Sequence, residues 1–292
     1  MRISVFSRGP NLYSTSRIVA EGRKRGHRME VVDHAYCSPS LYGVKTALLV
    51  DGRPLQLPKV AIPRIGANIT HRGAAIIRQL DVLGVPHTLS ADALLLARDK
   101  MGCLQTLARH DLPVPRTILC FTLREARIAA LGMGKWPVVV KLLESTHGVG
   151  VALAKSLFEL EQISEGFLQF QDRIIVQEFI GESKGCDIRA FVVGDRIVAA
   201  MERRAVDGEF RANIHRGATA RAVHLSAEDE ALCLRAAAVI GVEIAGVDLI
   251  PSHQGHLLME VNASPGLEGI EAATRIDIAG EIIEYAVKKA KA

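Results

Sequence analysis

Residues 245–262 constrain the fold of this chain more tightly than any other stretch. Two apolar runs, Ala245-Gly246-Val247-Asp248-Leu249-Ile250 and Leu257-Leu258-Met259-Glu260-Val261-Asn262, are separated only by the polar segment Pro251 to His256. Runs of that length bounded by turn residues predict a β-hairpin in a largely buried sheet. With the turn centred near Gln254, Asp248 stands opposite Glu260. Side chains alternate along a strand, so Glu260 and Asn262 share a face and Asp248 joins them. Two carboxylates and an amide oxygen then meet among apolar neighbours, where like charges repel unless a cation lies between them. An all-oxygen donor set suits a hard ion, magnesium before manganese. The plain alternative is a solvated strand face ending in an ordinary turn at Asn262-Ala263-Ser264-Pro265-Gly266.

The rest of the chain alternates strands and helices. Strands are expected at Ile3 to Phe6, Met29 to Val32 and Val60 to Pro63. Helices are expected after Asn11 up to about Arg25 and around Gly73 to Leu83, a βαβ pattern that makes a small parallel α/β unit ending near Ala97. From Arg98 the pattern changes. A helix over Asp99 to His110 is stopped by Pro113 and Pro115, and strands then crowd together at Thr117 to Leu119, Pro137 to Leu143, Gly150 to Ala154 and Arg173 to Gln177. A helix over Arg124 to Leu131 lies among them. A third stretch begins near Gly185, with strands at Asp187 to Val193 and Ile197 to Glu202. Helices over Ala227 to Ile240 and Ile276 to Lys289 flank the hairpin. At 292 residues the chain suits two or three compact units.

Composition narrows the function classes. Aromatic residues are only 4% and the net charge is +4, with one short basic run at Arg23-Lys24-Arg25. That mild excess favours small anions such as nucleotides and offers little for stacking bases, so DNA is not an expected partner. The five cysteines form no CxxC pair, which fits reduced thiols in a cytoplasmic protein rather than zinc or disulfides. The polar start Met1-Arg2-Ile3-Ser4 does not resemble a signal peptide, and no run approaches the roughly 18 apolar residues of a membrane span. The phosphate-loop motif Gly-x-x-x-x-Gly-Lys-Ser/Thr is missing, and Gly132-Met133-Gly134 is followed by Lys135-Trp136-Pro137 rather than a dinucleotide fingerprint. A bound nucleotide must therefore be held another way.

Cations and glycines supply one. Val138-Val139-Val140-Lys141-Leu142-Leu143 places a lysine in a buried strand, where an ammonium is costly unless it faces an anion. The following Glu144-Ser145-Thr146-His147-Gly148-Val149-Gly150 is a loop able to fold over phosphates through its N–H groups, although a simple hairpin has the same appearance. Lys100 is a second cation, with an exposed helical lysine as its alternative. Gln177-Glu178-Phe179-Ile180 closes a strand whose backbone can meet an adenine edge, and Asp187 can take ribose hydroxyls. Arg211, Ala212 and Asn213 lie on a polar loop, with Arg203 and Arg204 upstream.

That order of residues resembles the ATP-grasp superfamily, and within it the RimK-type α-L-glutamate ligases. The segments that carry the likeness are Pro63-Arg64-Ile65-Gly66, Ala97-Arg98-Asp99-Lys100, Gly185-Cys186-Asp187-Ile188-Arg189, Arg211-Ala212-Asn213-Ile214-His215-Arg216-Gly217 and Met259-Glu260-Val261-Asn262-Ala263-Ser264-Pro265-Gly266-Leu267-Glu268-Gly269-Ile270-Glu271. The resemblance implies an ATP-grasp fold of mixed α/β and α+β class. Its parts would be a pre-ATP-grasp domain over residues 1–97, a central subdomain with the glycine loop over 98–182, and a C-terminal subdomain with the metal site over 183–292.

It also implies roles. ATP would be bound by Lys100, Lys141, Glu178, Phe179, Asp187, Arg211, Ala212 and Asn213, with Gly148 and Gly150 in the phosphate loop. Arg211 and Asn213 would serve catalysis and Arg203 the substrate. Asp248, Glu260 and Asn262 would hold two magnesium ions, with manganese as a substitute. The family's partners are L-glutamate and the C-terminus of a small-subunit ribosomal protein, with poly-glutamate formed by some members and a homo-oligomer such as a tetramer as the assembly. Ser145, His147 and Ala218 depart from the family pattern and touch loop closure rather than metal or lysine positions. Alternatives are another ATP-grasp amino-acid or peptide ligase, or a non-catalytic nucleotide-binding module on the ribosome.

Overall fold

The computed structural model describes residues 1–143, 150–206 and 217–291. The chain opens with β1 (Arg2–Phe6), α1 (Tyr13–Lys24) and β2 (Arg28–Val32). An antiparallel excursion follows, made of β3 (Cys37–Tyr42), β4 (Lys45–Val50) and β5 (Arg53–Pro54). The chain then returns through β6 (Val60–Pro63), α2 (Thr70–Val82) and α3 (Ala91–Arg98). β1 lies between β2 and β6 in a parallel sheet, with Phe6 level with both Val32 and Pro63. Ile3, Val5 and Ile62 are fully buried, as strands covered on both faces require. The β3 to β5 sheet has no counterpart in the expectations above. Its outer positions, such as Tyr42 and Val44, are exposed, so it lacks the alternation that marks a half-buried strand.

Asp99 joins the first unit to the second. It adopts an extended backbone after α3 and its carboxylate accepts from Met101 N and Gly102 N, starting α4 (Lys100–Arg109) as a side-chain N-cap does. Arg98 therefore ends one helix and Lys100 begins the next. Beyond them come β7 (Thr117–Cys120), α5 (Leu123–Met133), β8 (Val138–Leu142), β9 (Val151–Ala154), α6 (Leu157–Leu168) and β10 (Ile174–Glu178). The strands form an antiparallel sheet in the order β7-β10-β8-β9. Val138, Val140, Ile174 and Val176 point to one face and pack on Ala126, Ala129 and Ala130 of α5 and Leu160 of α6.

The last stretch contains β11 (Cys186–Val193), β12 (Arg196–Arg204), β13 (Thr219–Ala222), α7 (Ala227–Ile240), β14 (Ile244–Ser252), β15 (Gly255–Asn262), α8 (Glu268–Thr274) and α9 (Ile278–Lys289). Its antiparallel sheet runs β13-β12-β11-β14-β15. One face, including Ala190, Val192, Val247, Leu249 and Val261, packs on α3, α4 and α7. The other face, through Phe191, Met201 and Ile244, meets Leu267, Ile270 and α9 together with Ile3, Val5 and Ile62 of the parallel sheet. Two separate cores thus hold this sheet, and the polar residues of interest lie where the second core ends.

Candidate active site

The hairpin forms where its sequence predicts, but its turn is centred between His253 and Gln254, with Ser252 paired to Gly255, which alone would set Asp248 opposite Met259. A β-bulge beside Asp248 and Leu249 shifts the register by one residue, and it is this bulge that brings Asp248 level with Glu260. Gly246 is level with Asn262, and Arg189 of β11 is level with Asp248. Asp187, two residues earlier on β11, is level with Arg203 of β12. Residues level across antiparallel strands share a face. Asp187, Arg189, Arg203, Asp248, Glu260 and Asn262 therefore make one charged field at the end of the face that Phe191 and Met201 keep apolar.

Within that field the charges compensate one another. Arg189 donates from Nε and Nη2 to the two oxygens of Asp248, both at 2.6 Å. Arg203 donates to both oxygens of Asp187 at 2.6 and 2.8 Å and to Asp248 Oδ2 at 2.9 Å. Burial is the largest influence on Asp248 and works upward, but Arg189 and then Arg203 outweigh it and hold the carboxyl at about 2. Burial pushes Asp187 up to about 6 against the pull of Arg203. Two N–H groups donating to its two oxygens require both to accept, so Asp187 is a carboxylate at neutral pH. Burial opposes the Arg203 charge, and Asp248 and Asp187 together overcome it, so its pKa is raised.

The sequence suggested that only an added cation could separate Asp248 from Glu260. The structure corrects this: Arg189 Nη2 lies 2.6 Å from Asp248 Oδ2 and 3.9 Å from Glu260 Oε1, so a guanidinium of the chain itself stands between them. Asp187, expected at a ribose, is spanned by Arg203, and Arg203, expected at the substrate, is buried between two aspartates. Arg189 carried no expected role. Its signal was legible: a charge two residues after Asp187, in a strand that otherwise runs apolar to Val193.

Glu260 is the accessible carboxylate, with 42% of its side chain exposed. Asn262 Nδ2 donates to its Oε1 at 2.9 Å, which turns the Asn262 amide oxygen outward from that bond. Among the described residues no group of three or more His, Cys, Asp and Glu side chains is arranged to hold a metal. The donors that do converge are one carboxylate, one amide oxygen and a second carboxylate already accepting three N–H groups. A carboxylate offers about four acceptor positions, so Asp248 keeps one for a further ligand. The oxygen-only set fits a hard divalent cation and not a thiophilic one.

The central sheet faces this field. Lys141 and Gln177 project from the face opposite α5 and α6, and Lys141 Nζ donates to Gln177 Oε1 at 2.6 Å while Gln177 Nε2 donates to Thr117 Oγ1 at 2.7 Å. Burial lowers the Lys141 ammonium to about 8, the charge of Glu260 opposes that, and Lys100 adds to it. Lys141 of β8 is thus within electrostatic reach of both Lys100 of α4 and Glu260 of β15. Lys141 was expected to face an anion; among the described residues its hydrogen-bond acceptor is a neutral amide, and Gln177 was not anticipated. Lys100 donates to the Leu143 carbonyl rather than lying on an outer helix face.

Glu178 turns away from this face. Its Oε1 accepts from Arg116 N at 2.8 Å and its Oε2 lies 3.5 Å from Lys135, leaving its backbone as what it offers a ligand. Phe179 follows directly, half-buried. Gly150 has φ +71° and a Cβ there would lie 2.6 Å from Leu142 Cδ1, so glycine is required for β9 to start beside β8. Gly148, Ser145, His147, Arg211, Ala212 and Asn213 lie outside the described residues. Ala218 lies just before β13 and is half-buried.

Sequence comparison places residues 97–286 in a RimK-like ATP-grasp domain and residues 1–94 in a RimK pre-ATP-grasp domain. The chain belongs to the RimK-like ATP-grasp family. Members of this family are ATP-dependent carboxylate–amine ligases. A probable alpha-L-glutamate ligase 1 of Hahella chejuensis is 45% identical over 291 residues, covering 100% of this chain and 96% of that protein. Among solved structures, the ATP-grasp ligase PsnB complexed with a minimal precursor, Mg and ADP superposes with TM-score 0.75 at 20% identity, covering 100% of this chain and 98% of that one. The D-alanine–D-alanine ligase of Bacillus anthracis complexed with ATP gives TM-score 0.73 at 15% identity, covering 100% and 97%. These two likenesses show the ATP-grasp fold and nothing finer.

Proposed function

We propose that this RimK-like chain joins L-glutamate through its amino group to a carboxylate acceptor, at the expense of ATP, by way of an acyl-phosphate. The observation that carries the reading is that Lys141, held by Gln177, lies within electrostatic reach of both Glu260 and Lys100. Two ammonium groups opposite an oxygen-donor set suit a metal-bound triphosphate. The name of the Hahella relative supports glutamate, and the magnesium and nucleotides held by PsnB and the D-alanine–D-alanine ligase support the cofactors.

In this reading an acceptor carboxylate oxygen bonds to the γ-phosphorus as the bond to the ADP oxygen breaks. The glutamate nitrogen then bonds to the acyl carbon, the C–O bond to phosphate breaks, and the amine proton is lost. Two magnesium ions, held by Glu260, Asn262 and Asp248, would supply charge neutralisation at the terminal phosphates. Lys141, aimed by Gln177, and Lys100 bind phosphate oxygens. Arg189 and Arg203 keep Asp248 ionised and fixed in place, and Asp187 serves the nucleotide side by anchoring Arg203. Phe179 and the Glu178 backbone line the adenine, and Arg211 and Asn213 complete the triphosphate end. The C-terminus of a small-subunit ribosomal protein as acceptor, chain extension to poly-glutamate, a homo-oligomer and a cytoplasmic setting rest on the family resemblance. No helix among the described residues is long and apolar enough to cross a membrane.

A hydroxylamine trap with ATP, magnesium, glutamate and ribosomal proteins tests the reading. Acceptor-dependent ADP and a trapped hydroxamate are expected, and mass spectrometry of the acceptor should show glutamyl increments. ADP release without an acceptor product, or none with any carboxylate, would refute it. Glu260→Ala should abolish turnover.

A further inference from the structure

Arg64 and Arg98 form a second cationic site, distinct from the lysines. Arg64 follows β6 at the carboxyl end of the parallel sheet, and Arg98 is the last residue of α3. Arg64 Nη2 donates to the Pro265 carbonyl, three residues beyond Asn262. Arg98 Nη2 donates to the Ile65 carbonyl at 2.8 Å. Both side chains are half-buried, and Arg98 Nε is a buried donor without any hydrogen-bond partner. Among the described residues neither guanidinium takes part in an ion pair, whereas Arg17, Arg25, Arg189 and Arg203 nearby all do.

The two guanidinium groups feel each other's charge. Burial and then Arg98 lower Arg64 to about 10. Burial lowers Arg98 as well, opposed only by Glu260. Removing like charges from water without a counter-ion is costly. The same end of the sheet carries His34, just after β2, fully buried with its Nδ1 3.7 Å from Asp33 Oδ1. Ligands of open parallel sheets bind outside the carboxyl ends of the strands, and a guanidinium fork matches a carboxylate in shape and charge.

We propose that Arg64 and Arg98 receive a carboxylate of the substrate that does not itself react, at the mouth of the parallel sheet beside the Pro265 loop. This rests on the ligase reading above. The amino-acid substrate, which enters by its amine, brings two such carboxylates, and an acidic acceptor brings others. The Pro265 carbonyl ties the site to the strand end that bears Asn262, so the bound carboxylate sits next to the phosphate end of the cleft. Selection of glutamate over uncharged amino acids would then be made where the first unit joins the ATP-grasp domain, with Arg64 from the former and Arg98 from the start of the latter.

The test uses the full chain with Arg64→Gln and Arg98→Gln, and with Arg64→Lys and Arg98→Lys in case loss of charge disturbs folding. Steady-state kinetics vary glutamate, ATP and acceptor in turn. Calorimetry measures binding of glutamate, glutamine and glutamate α-amide. The Gln variants should raise KM for glutamate about tenfold or more, as loss of one buried charge partner does, and leave KM for ATP within about twofold. Loss of wild-type binding to glutamine but not to the α-amide assigns the side-chain carboxylate; the reverse assigns the α-carboxylate. A rise confined to the acceptor's KM assigns the carboxylate to the acceptor and also upholds the site. Folded variants with unchanged KM for both substrates, or a change only in KM for ATP, overturn it. If the wild type makes no ADP with glutamate yet binds it, and Arg98→Gln weakens that binding, the ligase reading falls and the site stands. In that inactive case, binding that neither variant weakens, or no binding of any of the three, overturns the site.

Discussion

Replacing Lys141 with methionine should make the folded chain more stable near neutral pH while removing the proposed phosphate contact. Burial brings the ammonium from its ordinary 10.5 to about 8. At ~1.36 kcal/mol per pH unit, keeping it charged below pH 8 costs about 3 kcal/mol. Methionine fills a similar volume without charge, but Gln177 Oε1 loses its donor, which returns about 1 kcal/mol. The variant should therefore be more stable by about 2 kcal/mol at pH 7. The sign of the pH dependence follows from proton counting. The unfolded lysine keeps its proton up to 10.5 and the folded one releases it near 8, so between those values the unfolded chain binds more protons. Wild-type stability then gains as pH rises through that window. The gap between variant and wild type should be fully present below pH 8 and close by about pH 10.5. Urea denaturation of both proteins at pH 7 and pH 10 measures it, the difference cancelling groups that titrate alike. A variant less stable at pH 7, or a gap equal at both pH values, would refute the claim that this ammonium is held at a cost.

Three further experiments probe the scaffold. Asp187→Asn removes a doubly bonded partner from buried Arg203 and should lower stability by about 2–4 kcal/mol in thermal melts; a change in ATP affinity with none in stability would make Asp187 a ligand contact only. Glu271 accepts from Tyr13 OH, Arg17 Nε and Ala279 N, so a double-mutant cycle of Glu271→Gln with Arg17→Gln should show coupling of about 1 kcal/mol or more. A Cβ on Gly246 would lie 2.8 Å from Pro265 Cβ; Gly246→Ala should cost about 1–3 kcal/mol and, by shifting the loop after Asn262, lower kcat more than it raises KM for ATP.

Much of the site was legible because strand periodicity is a local property. Asp248 opposite Glu260 and Asn262 beyond it were expected from two apolar runs and a turn centred on Gln254; the pairing is present, but a β-bulge beside Asp248 supplies the one-residue shift that the turn itself does not. Lys141 stood out because a charge inside Val138-Val139-Val140 needs a reason to be there. The partners of these groups were not legible. Gln177 and Arg189 come from other strands, and nothing in their own neighbourhoods says which charge they meet. The segment from Asn262 to Glu271, the most family-specific stretch of the chain, turned out to act partly as a clasp. Leu267 N donates to Ser14 Oγ, and buried Glu271 accepts from Tyr13 and Arg17 of α1, tying the first unit to the strand end that bears Asn262.

The sequence by itself determined the order of most elements, the place of the hairpin and the all-oxygen chemistry of Glu260 and Asn262, because each depends on residues close together in the chain; the β3 to β5 sheet and the bulge that sets the hairpin register were not among them. Only the tertiary structure decided that Asp248 and Asp187 are already neutralised by Arg189 and Arg203, and that Arg64 and Arg98 form no ion pair among the described residues. Charge compensation inside a fold is a property of distance in space, and the distances here span 16 to 59 residues of sequence within the compensated field.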